Sequence, residues 1–274
     1  MEDWTGVLRL GAEERNGKTV AKNVYFQGAF KVMRPIYHDE SGQACYYLLN
    51  PGGGYLDGDR YQMKVGLEKQ AKLTLTTQSA TKIYKTPRTH AYQEVEFNLK
   101  EGSYLEYIPD PLIGYQDARY KQKTVIHMEK GCTLLYSDII TSGWSPNGEK
   151  FSYDKLQLIN EIYMENELVV FDHIKLNPAK QDMNGLGLME GYSHLGSMIV
   201  INEKMNHEFL DRLYQTISNH SKECKIGLSL LPIPGFTVRI FANTTQNIER
   251  IISDLHQMIS QECFNKKPSF LRKY

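Results

Sequence analysis

The sequence has no C-x-x-C, no H-x-H, no H-x-x-x-H and no excess of either charge. Its four cysteines (Cys45, Cys132, Cys224, Cys263) lie far apart, and they read as reduced, mostly buried thiols of a cytoplasmic protein. The sequons at Asn219 and Asn243 are accordingly chance matches. Thirty-two basic residues balance thirty-two acidic ones, so the electrostatic footprint of a nucleic-acid binder is missing. The longest apolar cluster, Leu228 to Ile233, is broken by Ser229 and Pro232, far short of the roughly 18 residues that a membrane span needs. The N-terminal stretch MEDWTGVLRLGAEERNG has no apolar core and does not read as a signal peptide.

Motifs of familiar chemistry are missing as well. No G-x-S-x-G elbow is present, and His207-Glu208 opens like a zincin helix but has Asp211 where the second histidine belongs. The eight histidines thus suggest no preformed metal cage, and no tightly bound cofactor is expected.

What is there is β structure. Tyr92 to Leu99 puts Val95, Phe97 and Leu99 on one face and Glu94, Glu96 and Asn98 on the other, the period of a half-buried strand. Similar segments run over Val20–Phe26, Ala44–Leu49, Leu73–Thr77, Tyr104–Ile108, Thr124–Met128, Thr133–Ser137, Leu156–Tyr163 and Leu168–Ile174, with turn dipeptides such as Asp57-Gly58 and Lys130-Gly131 between them. The pattern predicts a mainly β fold of stacked or coiled antiparallel sheets, and the lack of a strict repeat leaves a regular solenoid unsupported. Beyond residue 200 the period lengthens. Met205, Phe209, Leu213 and Ile217 share one helical face, as do Ile248, Ile251, Ile252, Leu255 and Ile259, with strands expected at Lys225–Leu231 and Phe236–Ala242 between them. The expected organisation is a β-rich body over residues 1–195, a helix–hairpin–helix segment over 196–265 packed on it, and a basic, flexible tail over 266–274.

Two polar stretches stand out. Asn50-Pro51-Gly52-Gly53-Gly54-Tyr-Leu-Asp-Gly58-Asp59-Arg60 combines a free backbone with two carboxylates. It lacks G-x-G-x-x-G and no GK[ST] follows, so a nucleotide site is excluded, and a loop closed by an Asp57-Gly58 hairpin is the plain reading. Thr76, Thr77, Gln78, Ser79 and Thr81 then line up more hydroxyl and amide groups than an apolar core tolerates, so they are expected to face water, a polar channel or another protein. Asp57, Asp59, Glu106, Asp110 and Asp117 could also supply the carboxylate pair of a β-rich carbohydrate-active hydrolase, with Asp59 and either Glu106 or Asp110 as the acids.

Taken together, Asn50-Pro-Gly-Gly-Gly54, Gly58-Asp59-Arg60, Thr76-Thr-Gln78 with Ala80, Lys82 and Tyr84, Leu105-Glu-Tyr-Ile-Pro109 and Gly148-Glu149-x-Phe151 resemble the UreD/UreH family of urease accessory proteins. The order and spacing hold from about residue 20 to 175. Asp57 stands where the family often has Gly, and Tyr107 replaces the commoner Trp. The resemblance implies a non-enzymatic, cytoplasmic urease maturation factor. Such a protein binds the urease apoprotein and engages UreF and, through the complex, the GTPase UreG. Nickel is its transient cargo, and a polar channel through the β body is the proposed route. By matching position, Asp59 and Asp172 would line that channel, Thr76, Thr77 and Gln78 would share it, and Asp59 would contact nickel in passing.

Overall fold

The computed structural model describes residues 4–217 and 223–264; the expected tail at 266–274 lies outside them. Two sheets stack face to face. One has seven strands: β1 (Gly6–Arg15), β2 (Lys18–Gly28), β5 (Arg60–Leu67), β8 (Ala91–Leu99), β11 (Arg119–Met128), β13 (Lys155–Met164) and β14 (Glu167–Leu176), in the order β14-β13-β11-β8-β5-β1-β2. The other contains β3 (Lys31–Val32), β4 (Ala44–Leu49), β6 (Lys72–Thr77), β9 (Tyr104–Tyr107), β12 (Thr133–Ile140), β15 (His194–Ile201), β16 (Lys225–Leu230) and β17 (Gly235–Ala242), ordered β16-β17-β15-β12-β9-β6-β4-β3. Short parallel strands β7 (Thr81–Ile83) and β10 (Leu112–Gly114) turn the corner between them.

The chain passes alternately from one sheet to the other and climbs one strand at each circuit. Ala44 pairs with Leu73, Lys72 with Tyr104, and Tyr104 with Thr133. The mainly β, coiled class expected from the sequence is what the structure has, but the strand direction differs. β1, β5, β8, β11 and β13 are mutually parallel, as are β4, β6, β9 and β12; antiparallel pairing flanks these runs, at β1–β2, β13–β14 and β3–β4 and through the C-terminal group β12-β15-β17-β16. The reason is physical. Alternation of buried and exposed positions usually signals an antiparallel sheet, because parallel sheets are normally covered on both faces. In this coil the outer face of the seven-stranded sheet is wet, so β8 and β11 alternate cleanly although they run parallel.

Strands β9 and β12 are buried at every position, because the second sheet is covered on both sides. Its inner face packs in the coil, and its outer face packs against α1 (His207–Ile217) and α2 (Thr245–Phe264) through Leu135, Met198, Val238, Phe209 and Ile251. Asn206 caps α1 by accepting the Phe209 N–H at 2.9 Å, and Thr244 caps α2 by accepting that of Asn247 at 3.2 Å. Residue 195 falls within β15, which pairs with β12 on one side and β17 on the other. The C-terminal strands therefore prolong the body's own sheet.

Candidate functional site: a polar track inside the coil

The inward positions of a coil this tight should be apolar, and most are: Leu8, Met63, Val95, Phe97 and Leu158 are all buried in one core. Several are not. On successive strands of the seven-stranded sheet Gln93, Gln122, Thr124 and Asn160 point inward and are buried, and from the facing sheet come Tyr136 and Asp138. Buried amides and carboxylates are stable only when partnered, and these partner one another in sequence.

Tyr55 and Tyr120 both donate to Gln93 Oε1, at 2.9 and 2.8 Å. The Tyr120 hydroxyl also lies 3.0 Å from Gln122 Oε1, and Gln122 Nε2 donates to the Tyr136 oxygen at 3.2 Å. The Tyr136 hydroxyl is shared between Asp138 Oδ2 at 2.6 Å and Asn160 Oδ1 at 3.1 Å. Asn160 Nδ2 reaches Asp172 Oδ2 at 3.4 Å, and Asp172 in turn pairs with Arg239. The result is a continuous line of hydroxyl, amide and carboxylate groups from Tyr55 to the Asp172–Arg239 pair.

A cavity of about 60 Å³ runs beside the first part of this line, lined among others by Asn50, Thr77, Asp110, Gln93, Gln122 and Asp138; Asn160 and Asp172 do not line it. It has room for a few water molecules. Burial pushes the Asp138 carboxyl up to about 7, with Asp172 adding to the rise and the Tyr136 hydroxyl and Arg239 opposing it. A carboxyl poised there exchanges its proton near neutrality. Burial likewise raises the Tyr120 and Tyr136 hydroxyls well above their ordinary value, so both stay protonated and can donate.

The glycine-rich stretch forms the rim of this cavity. Asn50 closes its turn twice: its carbonyl accepts from Gly53 N at 2.9 Å and its side chain from Gly52 N at 3.1 Å, with Pro51 between. Gly53 has φ +75°, and a Cβ on Gly54 would stand 2.6 Å from the Lys82 carbonyl, so the backbone passes too close for any side chain. Asp57-Gly58 does not make the expected hairpin, because β4 and β5 lie in different sheets. It is a turn closed by Asp59 N to the Leu56 carbonyl at 3.1 Å. Arg60 leaves this turn on the outer face and stacks over Trp4, 4.7 Å from the ring centroid.

Asp59 accepts from Leu56 N at 2.8 Å and Thr5 Oγ1 at 3.2 Å, and its Oδ2 lies 3.4 Å from the Tyr61 hydroxyl. It does not line the cavity; Tyr61 stacks on Tyr55 at 3.9 Å and stands between them. Thr77 does line it, and exchanges hydrogen bonds with Asp110, donating to Oδ2 at 2.8 Å and accepting from the amide at 2.7 Å. Ser79 and Thr81 line it too, as the polar run suggested. Thr76 differs. It is fully buried, and its hydroxyl is satisfied by the Ile108 carbonyl at 2.6 Å on the next circuit of the coil. Gln78 is exposed and joins the sheet through its backbone, donating to Leu48 O at 2.9 Å.

The expected pairing of Asp59 with Glu106 or Asp110 is not assembled in the cavity. Asp57 is tied to Arg88 and to the Arg88 and Thr89 amides, and Asp117 to Lys85. Glu106 faces away from the cavity, towards α2. There it accepts from Thr74 Oγ1 and from the Tyr104 hydroxyl, and it lies 2.7 Å from His256 Nε2. The cavity takes Asp110 but neither Asp59 nor Glu106.

Of the members of the track only Asp172 was expected from the sequence; Tyr55, Gln93, Tyr120, Gln122, Tyr136, Asp138, Asn160 and Arg239 were not. The expected strand Thr133–Ser137 stops one residue short of Asp138. The available signal was a carboxylate inside the otherwise apolar run Thr133–Ile140.

Comparison with known proteins agrees over the whole length. A match to the family described as UreD urease accessory protein spans residues 5–273. The urease accessory protein UreD of Lachnoclostridium phytofermentans is 49% identical over 274 residues, covering 100% of both chains. Those of Staphylococcus aureus strains RF122 and Newman are each 46% identical over 275 residues, covering 100% of this chain and 99% of theirs. With homologues named as accessory proteins, the role is an accessory and not an enzymatic one. The chain belongs to the UreD family of urease accessory proteins.

Proposed function

We propose that this protein serves urease maturation by holding the activation complex on the urease apoprotein and conveying nickel along its interior polar track. The observation that carries this reading is the unbroken line of hydroxyl, amide and carboxylate groups from Tyr55 to Asp172, with the cavity along its first part as far as Asp138. A divalent ion in transit needs oxygen ligands that replace its water but release it again. Thiolate and imidazole clusters would hold a borderline metal such as nickel too firmly.

In this reading Asp110 and Thr77 receive the ion near the rim, and Asp138 carries it past the Tyr136 hydroxyl. Asp172 receives it at the far end. Asp138 gives up a proton as the cation approaches and regains it on departure, so the site is weak at rest. Asp59 acts from the side, fixing the rim turn and placing its charge behind Tyr61. Thr76 and Gln78 contribute through their places in β6 and at its end, shaping the rim rather than contacting the ion.

The partners are the urease apoprotein, UreF and, through the complex, the GTPase UreG, in the cytoplasm; neither a nucleic acid nor a membrane is involved. Among the described residues, no helix is long and apolar enough to cross a membrane.

The test is nickel content per urease active site in cells making wild-type protein or Asp138→Asn. Conveyance predicts assembled urease poor in nickel with the variant, while the variant itself folds and still co-purifies with its partners. Full nickel loading would defeat it.

A further inference from the structure

Arg239 occupies the far end of the track. Strand register sets Asp138, Ser197 and Arg239 side by side across β12, β15 and β17, and sets Asn160 beside Asp172 on β13 and β14 of the facing sheet. The Arg239 guanidinium bridges the two sheets, donating through Nη2 to Asp172 Oδ1 and through Nη1 to Ser197 Oγ. Its side chain is 34% exposed against 14% for Asp172, so the pair stands where the line of buried groups meets the surface.

A guanidinium in that place has two consequences for a divalent ion. It already uses one oxygen of Asp172, and Asn160 uses the other. It also carries a charge that no accessible pH removes. A fixed positive charge within a few ångströms of Asp172 opposes a second cation there, and the opposition is doubled for a divalent one. As a static ion pair Arg239 serves stability. At the end of a cation path the same contact is an obstruction.

We propose that Arg239 is a latch on this track: in the isolated chain it holds Asp172 and keeps divalent cations from that end, and cation passage requires it to leave. The proposal rests on the conveyance reading above and adds the residue that controls it. It differs from a purely structural role in what its removal does. If the contact is only structural, losing the guanidinium weakens the fold with no gain in metal binding. A latch that is lost frees Asp172 and Asp138 for a cation.

The experiment titrates the 274-residue chain with Ni²⁺ by equilibrium dialysis at pH 7.5, comparing wild type, Arg239→Gln, Arg239→Lys and Arg239→Gln/Asp172→Asn, with thermal unfolding as the check on folding. Arg239→Gln is expected to bind Ni²⁺ at least roughly tenfold more tightly than wild type, and the added Asp172→Asn is expected to abolish the gain. Arg239→Lys keeps the charge with a shorter, single-pronged reach, so it should fold even if Arg239→Gln does not and show a smaller gain. Folded variants with wild-type affinity, or a gain that survives Asp172→Asn, would overturn the latch. Poor nickel loading of urease with Asp138→Asn, alongside unchanged affinity in Arg239→Gln, would leave conveyance standing and remove the latch alone. Normal loading with Asp138→Asn would remove both.

Discussion

His256 Nε2 lies 2.7 Å from Glu106 Oε1, with both side chains buried, so one close contact ties α2 to β9, the strand that carries the Leu105-Glu-Tyr-Ile-Pro109 motif. Burial alone would raise the Glu106 carboxyl; the His256 charge and hydrogen bonds from His256, Thr74 and Tyr104 outweigh it and hold the carboxyl at about 2. The motif thus reads as a fastening between helix and body.

Removing one side of that fastening strands a buried charge. His256→Ala is expected to lower stability by about 3 kcal/mol, measured by urea unfolding at pH 7. Because the folded carboxyl is depressed, its stabilisation is complete above the ordinary carboxylate value and fades as pH falls towards about 2. The wild type should therefore lose stability more steeply through that acid range than Glu106→Gln does.

Asp138 has the opposite sign. Its folded value is raised, so the folded chain keeps a proton that the unfolded chain has released, and stability falls as pH climbs from the ordinary carboxylate range to about 7. Asp138→Asn removes that decline. Relative to wild type it should gain at least about 1 kcal/mol between pH 4 and pH 7.5, read as a growing difference in Tm. A constant difference across that range would mean that Asp138 is not buried as described.

Gly54→Ala places a methyl against the Lys82 carbonyl, at 2.6 Å, and against the Tyr84 ring, at 2.7 Å. Backbone has to move, at a cost of about 1–3 kcal/mol. Gly53→Ala, at positive φ with the nearest heavy atom 3.8 Å away, should cost less, about 1 kcal/mol. Thermal unfolding of the two variants side by side checks the order.

Asp59→Ala removes the acceptor of the Leu56 amide and should cost about 1 kcal/mol of stability. Asp59→Asn keeps an acceptor and loses the charge, so folding should be near normal. Nickel loading of urease with Asp59→Asn should fall less than with Asp138→Asn, since Tyr61 separates Asp59 from the cavity. An equal fall would place Asp59 in the path itself.

Much of this was legible in the residues. The alternation in Tyr92–Leu99 and the helical faces of Phe209–Ile217 and Ile248–Ile259 mark their elements, because burial on one side imposes a period wherever an element lies on a core. Strand direction was not legible, since a coil and a meander share turn spacing and in–out pattern. The polar run from Thr76 to Thr81 pointed to the cavity rim through Thr77, Ser79 and Thr81. Thr76 itself was misjudged, because a hydroxyl in a stacked coil can be satisfied by backbone on the next circuit. The track beyond the rim was hidden for a related reason. Gln93, Gln122, Asn160 and Asp138 lie far apart in the chain, and only the coil brings them into line.

If the line of groups through Asp138 to Asp172 carries nickel to urease, its interruption shows in the metal content of the enzyme. The decisive quantity is nickel per active site, measured on urease purified from cells with wild-type protein, with Asp138→Asn and with none. Assembled but nickel-poor urease in the last two, with the variant folded and bound to its partners, is the predicted result. Urease fully loaded with the Asp138→Asn variant would contradict it.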